Sequence, residues 1–344
     1  MSPRTRSLLI FGAKATVAAV LLGWLLRSNA LDFAALGLFF SKPSLLIGNL
    51  VLSVFNVLFG ALRWTMLLRL AGVRMPFGRA IQLQLTALFF NVVIPGNVGG
   101  DVLKAVYAAR MAEPAKRPTV FLIVFVERLL GMAGLVIIAG LVTLWRGPAL
   151  WQDPRLHDLA IAVAVLAGVT LIVPGIVILA VRRSGDRLEA WTGGATRLAK
   201  IANRLVLAAR LVSADPVKLV ISLGLSMALH GGSLLLFTAL TQAITKQDVP
   251  LSAIASIFPL GVLTMILPVS PAGIGVGHVA FDRLFTIIGL SGGATVFNVF
   301  LVGQIAPQLL GVFPYLALRR EGTLPTEAPP VASQRTQGKG TDAD

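Results

Sequence analysis

Three short strings carry charge inside otherwise apolar sequence: Asp101-x-x-Lys104, Glu127-Arg128 and His278-x-x-x-Asp282-Arg283. They balance in type, with Asp101, Glu127 and Asp282 set against Lys104, Arg128 and Arg283, and an imidazole added. Residues three or four apart share a helical face, so Asp101 lies with Lys104 and His278 with Asp282. Two roles suit such a set. Lys104 and Arg128 can receive the oxygens of a phosphate, the carboxylates neutralising them when no anion is bound. Alternatively the charges are mutual salt bridges that hold helices together. His278, with an unperturbed pKa of about 6.5, is a candidate for moving a proton, and packing alone is the other account of it.

Other chemistries lack their residues. His157, His230 and His278 fall on separate segments without paired-histidine spacing, so no metal site is expected. No serine sits in a G-x-S-x-G elbow. The string "GNVGGDVLK" lacks the Gly-Lys-Ser/Thr ending of a phosphate-binding loop, and Gly273-x-Gly275-x-Gly277 follows no strand. No cofactor is expected, and any transport would be passive or driven by a gradient. The absence of cysteine excludes disulfide and thiolate chemistry.

The elements that must hold these charges are membrane helices. Of 344 residues 56% are hydrophobic and 13% charged, with mean hydropathy +0.84, whereas a soluble domain carries about 25% charge. Apolar runs recur at 44–62, 118–145 (interrupted by Glu127-Arg128), 159–181, 217–244 and 295–318, each near the roughly 20 residues needed to cross hydrocarbon. The expected fold is an all-α polytopic membrane protein with about six spanning helices, near 8–26, 44–62, 119–145, 159–181, 217–241 and 294–318. A charge inside such a bundle costs about 2.5 to 3.5 kcal/mol on insertion scales and usually faces the interior.

The net charge of +15 reports orientation. With both termini in the cytoplasm, 21 Lys and Arg fall inside, Arg63 among them, against five outside: Arg27, Lys42, Arg146, Arg155 and Lys246. Lys14, Lys104, Arg128 and Arg283 lie within apolar segments. That split follows the positive-inside rule and places the chain in a bacterial-type inner membrane. No basic patch interleaved with aromatics marks a nucleic-acid groove. The start of the chain, with "SNA" at Ser28 to Ala30, resembles a signal peptide, but Gly12, Lys14 and Arg27 favour an uncleaved first helix. The stretch 321–344, rich in Pro, Thr, Ser, Gln and Gly, is expected to be a disordered cytoplasmic tail. The segment 187–213 has apolar residues at helical spacing among its arginines and lysine, as an inner-surface amphipathic connector or a solvated one would.

Two further apolar stretches break midway. Ile81 to Ile94 has 14 residues and Val98 to Arg110 has 13, so each helix covers about 20 Å of a core about 30 Å thick. Pro95-Gly96-Asn97 between them cannot continue a helix. The expectation is a re-entrant hairpin lining a cavity, since irregular backbone at that depth must be covered or wet. Gly99 and Gly100 permit close approach, and the helix starting near Asp101 directs its positive end toward the tip. Phe258 to Phe285 repeats the design, Pro268 aligning with Pro95 and Gly273 with Gly100. Three spans lie between the two hairpins, so they open to opposite sides, as in inverted-repeat transporters. The membrane domain is taken as 1–320, with repeat halves of about 44–145 and 217–318.

The strings "FFNVVIPGNVGGDVLKAVYAAR", "ERLLGM" and "PVSPAGIGVGHVAFDRLF", in this order, resemble the membrane domain of lysylphosphatidylglycerol synthase, the multiple peptide resistance factor, and related flippase-like membrane proteins. The likeness covers about residues 8 to 320. In that family the membrane domain is taken to move an aminoacylated phospholipid between leaflets while a separate soluble domain makes it. The resemblance is therefore expected to concern the translocase half and not the synthase. The family often has an acidic residue where this chain has His278.

The candidate substrate-binding set is Asn91, Asn97, Gly99, Gly100, Asp101, Lys104, Glu127, Arg128, Ser270, Gly273, Gly275, His278, Asp282 and Arg283. The expected partners are the membrane and a phospholipid or other anionic lipid, without nucleic acid; a homo-oligomer is compatible with this. The expected function is translocation of an anionic or modified phospholipid, or of a lipid-linked head group, without an enzymatic step. The rivals are a membrane-embedded enzyme on a lipid-linked substrate, with His278 and Asp282 as general base and partner, and a scaffold subunit whose buried charges can be replaced together.

Overall fold

The computed structural model describes residues 33–94, 99–145, 154–192, 196–265 and 275–321. The expected span at 8–26, the breaks at 95–98 and 266–274, and the tail after Glu321 lie outside them, and so do Asn97, Ser270 and Gly273. The helices are α1 (Phe33–Ser41), α2 (Pro43–Leu70), α3 (Phe77–Val93), α4 (Gly99–Met111), α5 (Arg117–Trp145), α6 (Pro154–Thr192), α7 (Arg197–Ser213), α8 (Pro216–Thr245), α9 (Leu251–Thr264), α10 (Val276–Ile287), α11 (Gly293–Leu309) and α12 (Val312–Arg320). A single 3₁₀ turn, Pro114–Lys116, leads into α5.

Five stretches are long and apolar enough to cross a membrane: Pro43–Leu70, Pro114–Trp145, His157–Ser184, Pro216–Thr245 and Gly293–Arg320. They coincide with the five expected spans after the first. Their outward faces are apolar: Ile47, Val51 and Val54 on α2, and Val165, Val169, Ile172 and Ile176 on α6, are each at least 47% exposed. Such a surface suits lipid and not water.

Two boundaries differ from expectation. The helix expected to stop at Leu62 continues to Leu70, since "RWTMLLRL" keeps an apolar face through two more turns. The last span is two helices, because Pro307 near the end of α11 removes a backbone donor and the chain turns at Leu310 and Gly311 before α12. The 187–213 segment is shared between the end of α6, kinked at Ser184, and a separate α7 whose start is capped by the Thr196 hydroxyl accepting from Ala199 N–H at 3.1 Å. Asp215 caps α8 in the same manner, accepting from both the Lys218 ammonium and its backbone N–H; the ammonium bond is the larger cause holding that carboxyl below the usual carboxylate range.

Helices α3 and α4 run antiparallel. Gly100 lies against Ala87 and Asn91, while Lys104 reaches Gln84, so one numbering rises as the other falls. A Cβ on Gly100 would fall 1.9 Å from the Ala87 carbonyl oxygen; glycine is required for this approach. Helices α9 and α10 pack likewise, with Gly261 against the Phe281 ring.

The buried side chains form two main cores. One gathers Trp64, Leu67, Leu68, Leu83, Tyr107, Val120, Ile123 and Leu318 and takes in α3 and α4. The other gathers Phe39, Leu240, Ile254, Phe258, Phe281, Phe285, Val296 and Phe297 and takes in α9 and α10. Basic residues collect at the end of the first core: Arg79 pairs with Glu321 at 2.7 Å, and Lys116 pairs with Glu113 beside Gly72. There α12 rides on α3, Gly311 abutting the Leu85 carbonyl and Tyr315 meeting Phe90 edge-on at 5.0 Å.

Candidate functional site

At the centre of the first core α2, α3, α4, α5 and α8 meet around the buried side chains of Lys104 and Glu127, 2% and 5% exposed. The Lys104 Nζ donates to Glu127 Oε2 at 3.0 Å, to Glu127 Oε1 at 3.3 Å and to Gln84 Oε1 at 3.1 Å. It also stands 4.8 Å from the Trp64 ring centroid, a cation–π contact in place of water. Arg63 Nη2 donates to Glu127 Oε1 at 3.2 Å and Arg63 Nη1 to Ser226 Oγ at 2.6 Å. The Ser226 hydroxyl in turn donates to the Ser222 carbonyl at 2.9 Å. One carboxylate is thus shared by two cations.

Beside this triad Arg128 Nε donates to Asp101 Oδ2 at 2.6 Å. The Arg128 side chain is 36% exposed, against 14% for Arg63 and 3% for Lys104, so it is the approachable cation of the group. Asp101 belongs to the first turn of α4, where the helix dipole favours a carboxylate. The same helix start is tied to α3 by the Asn91 side chain, whose Oδ1 accepts from Gly100 N–H at 2.8 Å. Gly99 sits against the Ile94 side chain.

The pairing therefore runs between helices and not along them. Asp101 and Lys104 share α4, but each bonds to α5. Among the described residues the node sets three cations, Arg63, Lys104 and Arg128, beside the two carboxylates that bond to them, Glu127 and Asp101. Arg63 stands seven residues before the end of α2 and Glu127 ten after the start of α5, about 10 and 15 Å along the helices from those ends.

The structure brings Asn91, Gly99, Gly100, Asp101, Lys104, Glu127 and Arg128 together here. Gly275 and His278 lie with the second core, where Gly275 N–H donates to His278 Nδ1 at 3.3 Å and the ring meets Phe297 edge-on at 4.9 Å. His278 is 7% and its neighbour Asn298 1% exposed, while Asp282 and Arg283 on the same helix are exposed. Arg63, Trp64, Gln84 and Ser226 were not among the expected site residues. The expected helix end at Leu62 leaves Arg63 outside the span; the continuation of α2 places it within the helix, bonded to Glu127 and Ser226. The apolar run following it was the available signal.

A family model for the lysylphosphatidylglycerol synthase TM region matches residues 9–311, which contain all of α1 to α11 and every residue of the node. The chain belongs to this family. Comparisons with curated proteins and with solved structures return no match. As a member of the lysylphosphatidylglycerol synthase TM family it is a multi-pass membrane protein related to membrane lipid, and its five apolar spans agree with that. The node is thus the charged interior of a lipid-related membrane protein, with α12 packed against α3 from just beyond the matched residues.

Proposed function

We propose that the chain is a lipid translocase of the inner membrane that passes the anionic head group of a phospholipid, or of a lipid-linked substrate, past the node at Arg63, Lys104, Glu127, Asp101 and Arg128. One observation carries this: three cations, Arg63, Lys104 and Arg128, meet two carboxylates, Glu127 and Asp101, inside the helix bundle, and Arg128 is the most exposed of the three cations. Charge inside a membrane bundle is expensive, and a phosphate that reaches Arg128 competes with Asp101 for the guanidinium. The step involves no bond breaking, so the lipid leaves with the mass it brought.

The helix lengths support alternating access. Helices α4, α9 and α10, of 13, 14 and 12 residues, extend about 18 to 21 Å and fall short of the core thickness. The pairs α3–α4 and α9–α10 belong to opposite cores with three spans, α5, α6 and α8, between them. Two re-entrant hairpins in inverted repeats fit that arrangement. The basic end then faces the cytoplasm together with both termini.

The test uses the purified full chain in liposomes of phosphatidylcholine with fluorescent phosphatidylglycerol in one leaflet. The chain is expected to speed equilibration of the tracer without changing its mass, and Arg128→Gln to abolish this while the protein still inserts. A change in tracer mass, or equilibration unaffected by Arg128→Gln, overturns the proposal.

A further inference from the structure

Helix α10, in the second core and away from the node, is closed at its start by a histidine. Gly275, the residue before the helix, has φ 88° and ψ −62°, a γ-turn geometry that is strained. Its N–H donates to His278 Nδ1 at 3.3 Å, so an imidazole lone pair holds the turn where a Glu or Gln side chain ordinarily reaches back. Because Nδ1 accepts, the proton of the neutral ring is on Nε2. The Asn298 side chain lies beside the ring without hydrogen-bond geometry. His278 Nε2 and both polar atoms of the Asn298 amide are buried with no hydrogen-bond partner among the described residues. Unpaired buried polar groups are costly, and these narrow the margin by which the ring keeps its place.

The surroundings offer a second proton no counter-charge. No Asp, Glu, Lys, Arg or other His occurs from Val249 to Gly277 or from Leu284 to Leu318, stretches that include α9 and α11, the helices packed on α10. Helix α8 meets α10 through the rings of Phe237 and Phe281, 4.9 Å apart, and its His230 faces Arg63 of the node. On α10 itself Asp282 and Arg283 are exposed. A proton on Nδ1 removes the acceptor, sets one N–H against the N–H of Gly275, and places positive charge at the positive end of a helix. Burying an unpaired charge is costly, so the proton is taken up by a ring that has left its pocket. We infer that His278 is a proton-binding site that caps α10 when neutral and frees the helix start, Gly275 to Val279, when protonated. This stands whether or not the chain moves lipid.

Amide hydrogen exchange of the full chain in detergent, corrected for the intrinsic effect of pH on exchange, tests it. Opening that exposes an imidazole of pKa about 6.5 becomes about 30-fold more frequent between about pH 7.5 and about pH 5. Protection at Gly275 and Val279, whose N–H groups close the first turn, is expected to fall by that factor. His278→Gln keeps a neutral acceptor and is expected to hold the same protection at both pH values. His278→Phe has no acceptor and is expected to be unprotected at both. The inference is overturned if protection in the unaltered chain is equal at the two pH values, if His278→Gln retains the pH effect, or if Leu234 to Leu240 of α8 loses protection to the same extent, which would mark general unfolding by acid.

Discussion

Glu127 serves two cations, and this decides which charges can be removed together. Glu127→Gln strands both Lys104 and Arg63, whereas Lys104→Gln leaves Glu127 still paired with Arg63. Breaking a buried pair by removing one partner costs about 3 to 5 kcal/mol, so thermal unfolding in detergent is expected to rank Glu127→Gln as the more damaging. The double change Lys104→Gln with Glu127→Gln does not restore stability, since Arg63 stays unpaired. Asp101→Asn with Arg128→Gln is expected to cost less than either change alone, because each removes the other's ion-pair partner, and the liposome assay is expected to show no lipid movement all the same. Normal movement in this double variant would make the pair structural. The charged residue types were legible in the sequence because charge is rare in apolar runs. Their partners were not: Lys104 to Glu127 and Arg128 to Asp101 are bonds between α4 and α5, and helical spacing alone suggested Asp101 to Lys104.

Among the elements, the α3–α4 pair depends on contact at a glycine. Gly100→Ala places a methyl group 1.9 Å from the Ala87 carbonyl oxygen and must move one backbone, a cost of about 1 to 3 kcal/mol. Gly48 on α2 has nothing within 4 Å of its would-be Cβ, so Gly48→Ala is expected to be neutral or to stabilise by about 0.5 to 1 kcal/mol through helix propensity. Equal melting temperatures for the two variants would mean that α3 and α4 are not packed this closely. The break between these helices was legible from Pro95 and Gly96, because proline lacks an amide donor. The continuation of α2 past Arg63 was hidden by reading a charge as a helix end, although the apolar run Trp64 to Leu68 resumes at once. Pro307 was visible in the sequence too, but the turn at Leu310 and Gly311 depends on α12 finding α3.

For the molecule as a whole, the ends of the two hairpins make the decisive measurement. In this cysteine-free chain, Gly78→Cys and Met111→Cys are expected to react with impermeant reagents from the basic face, and Asp248→Cys and Ser291→Cys from the opposite face. Reaction of Gly78→Cys and Met111→Cys from different faces would turn α3 and α4 into a crossing and remove the inverted repeat. Five spans were legible because hydropathy needs no tertiary knowledge; the division into two cores was not, since it depends on which helices touch. That division has a consequence in time. The Arg79–Glu321 bond joins positions 242 residues apart, so at about 5 to 20 residues per second the ribosome needs about 12 to 50 s after making α3 to supply the helix that covers it. Through that interval α3 must wait in the membrane or its insertion machinery with one face bare, and chaperones and proteases of nascent chains have their longest access to this protein there.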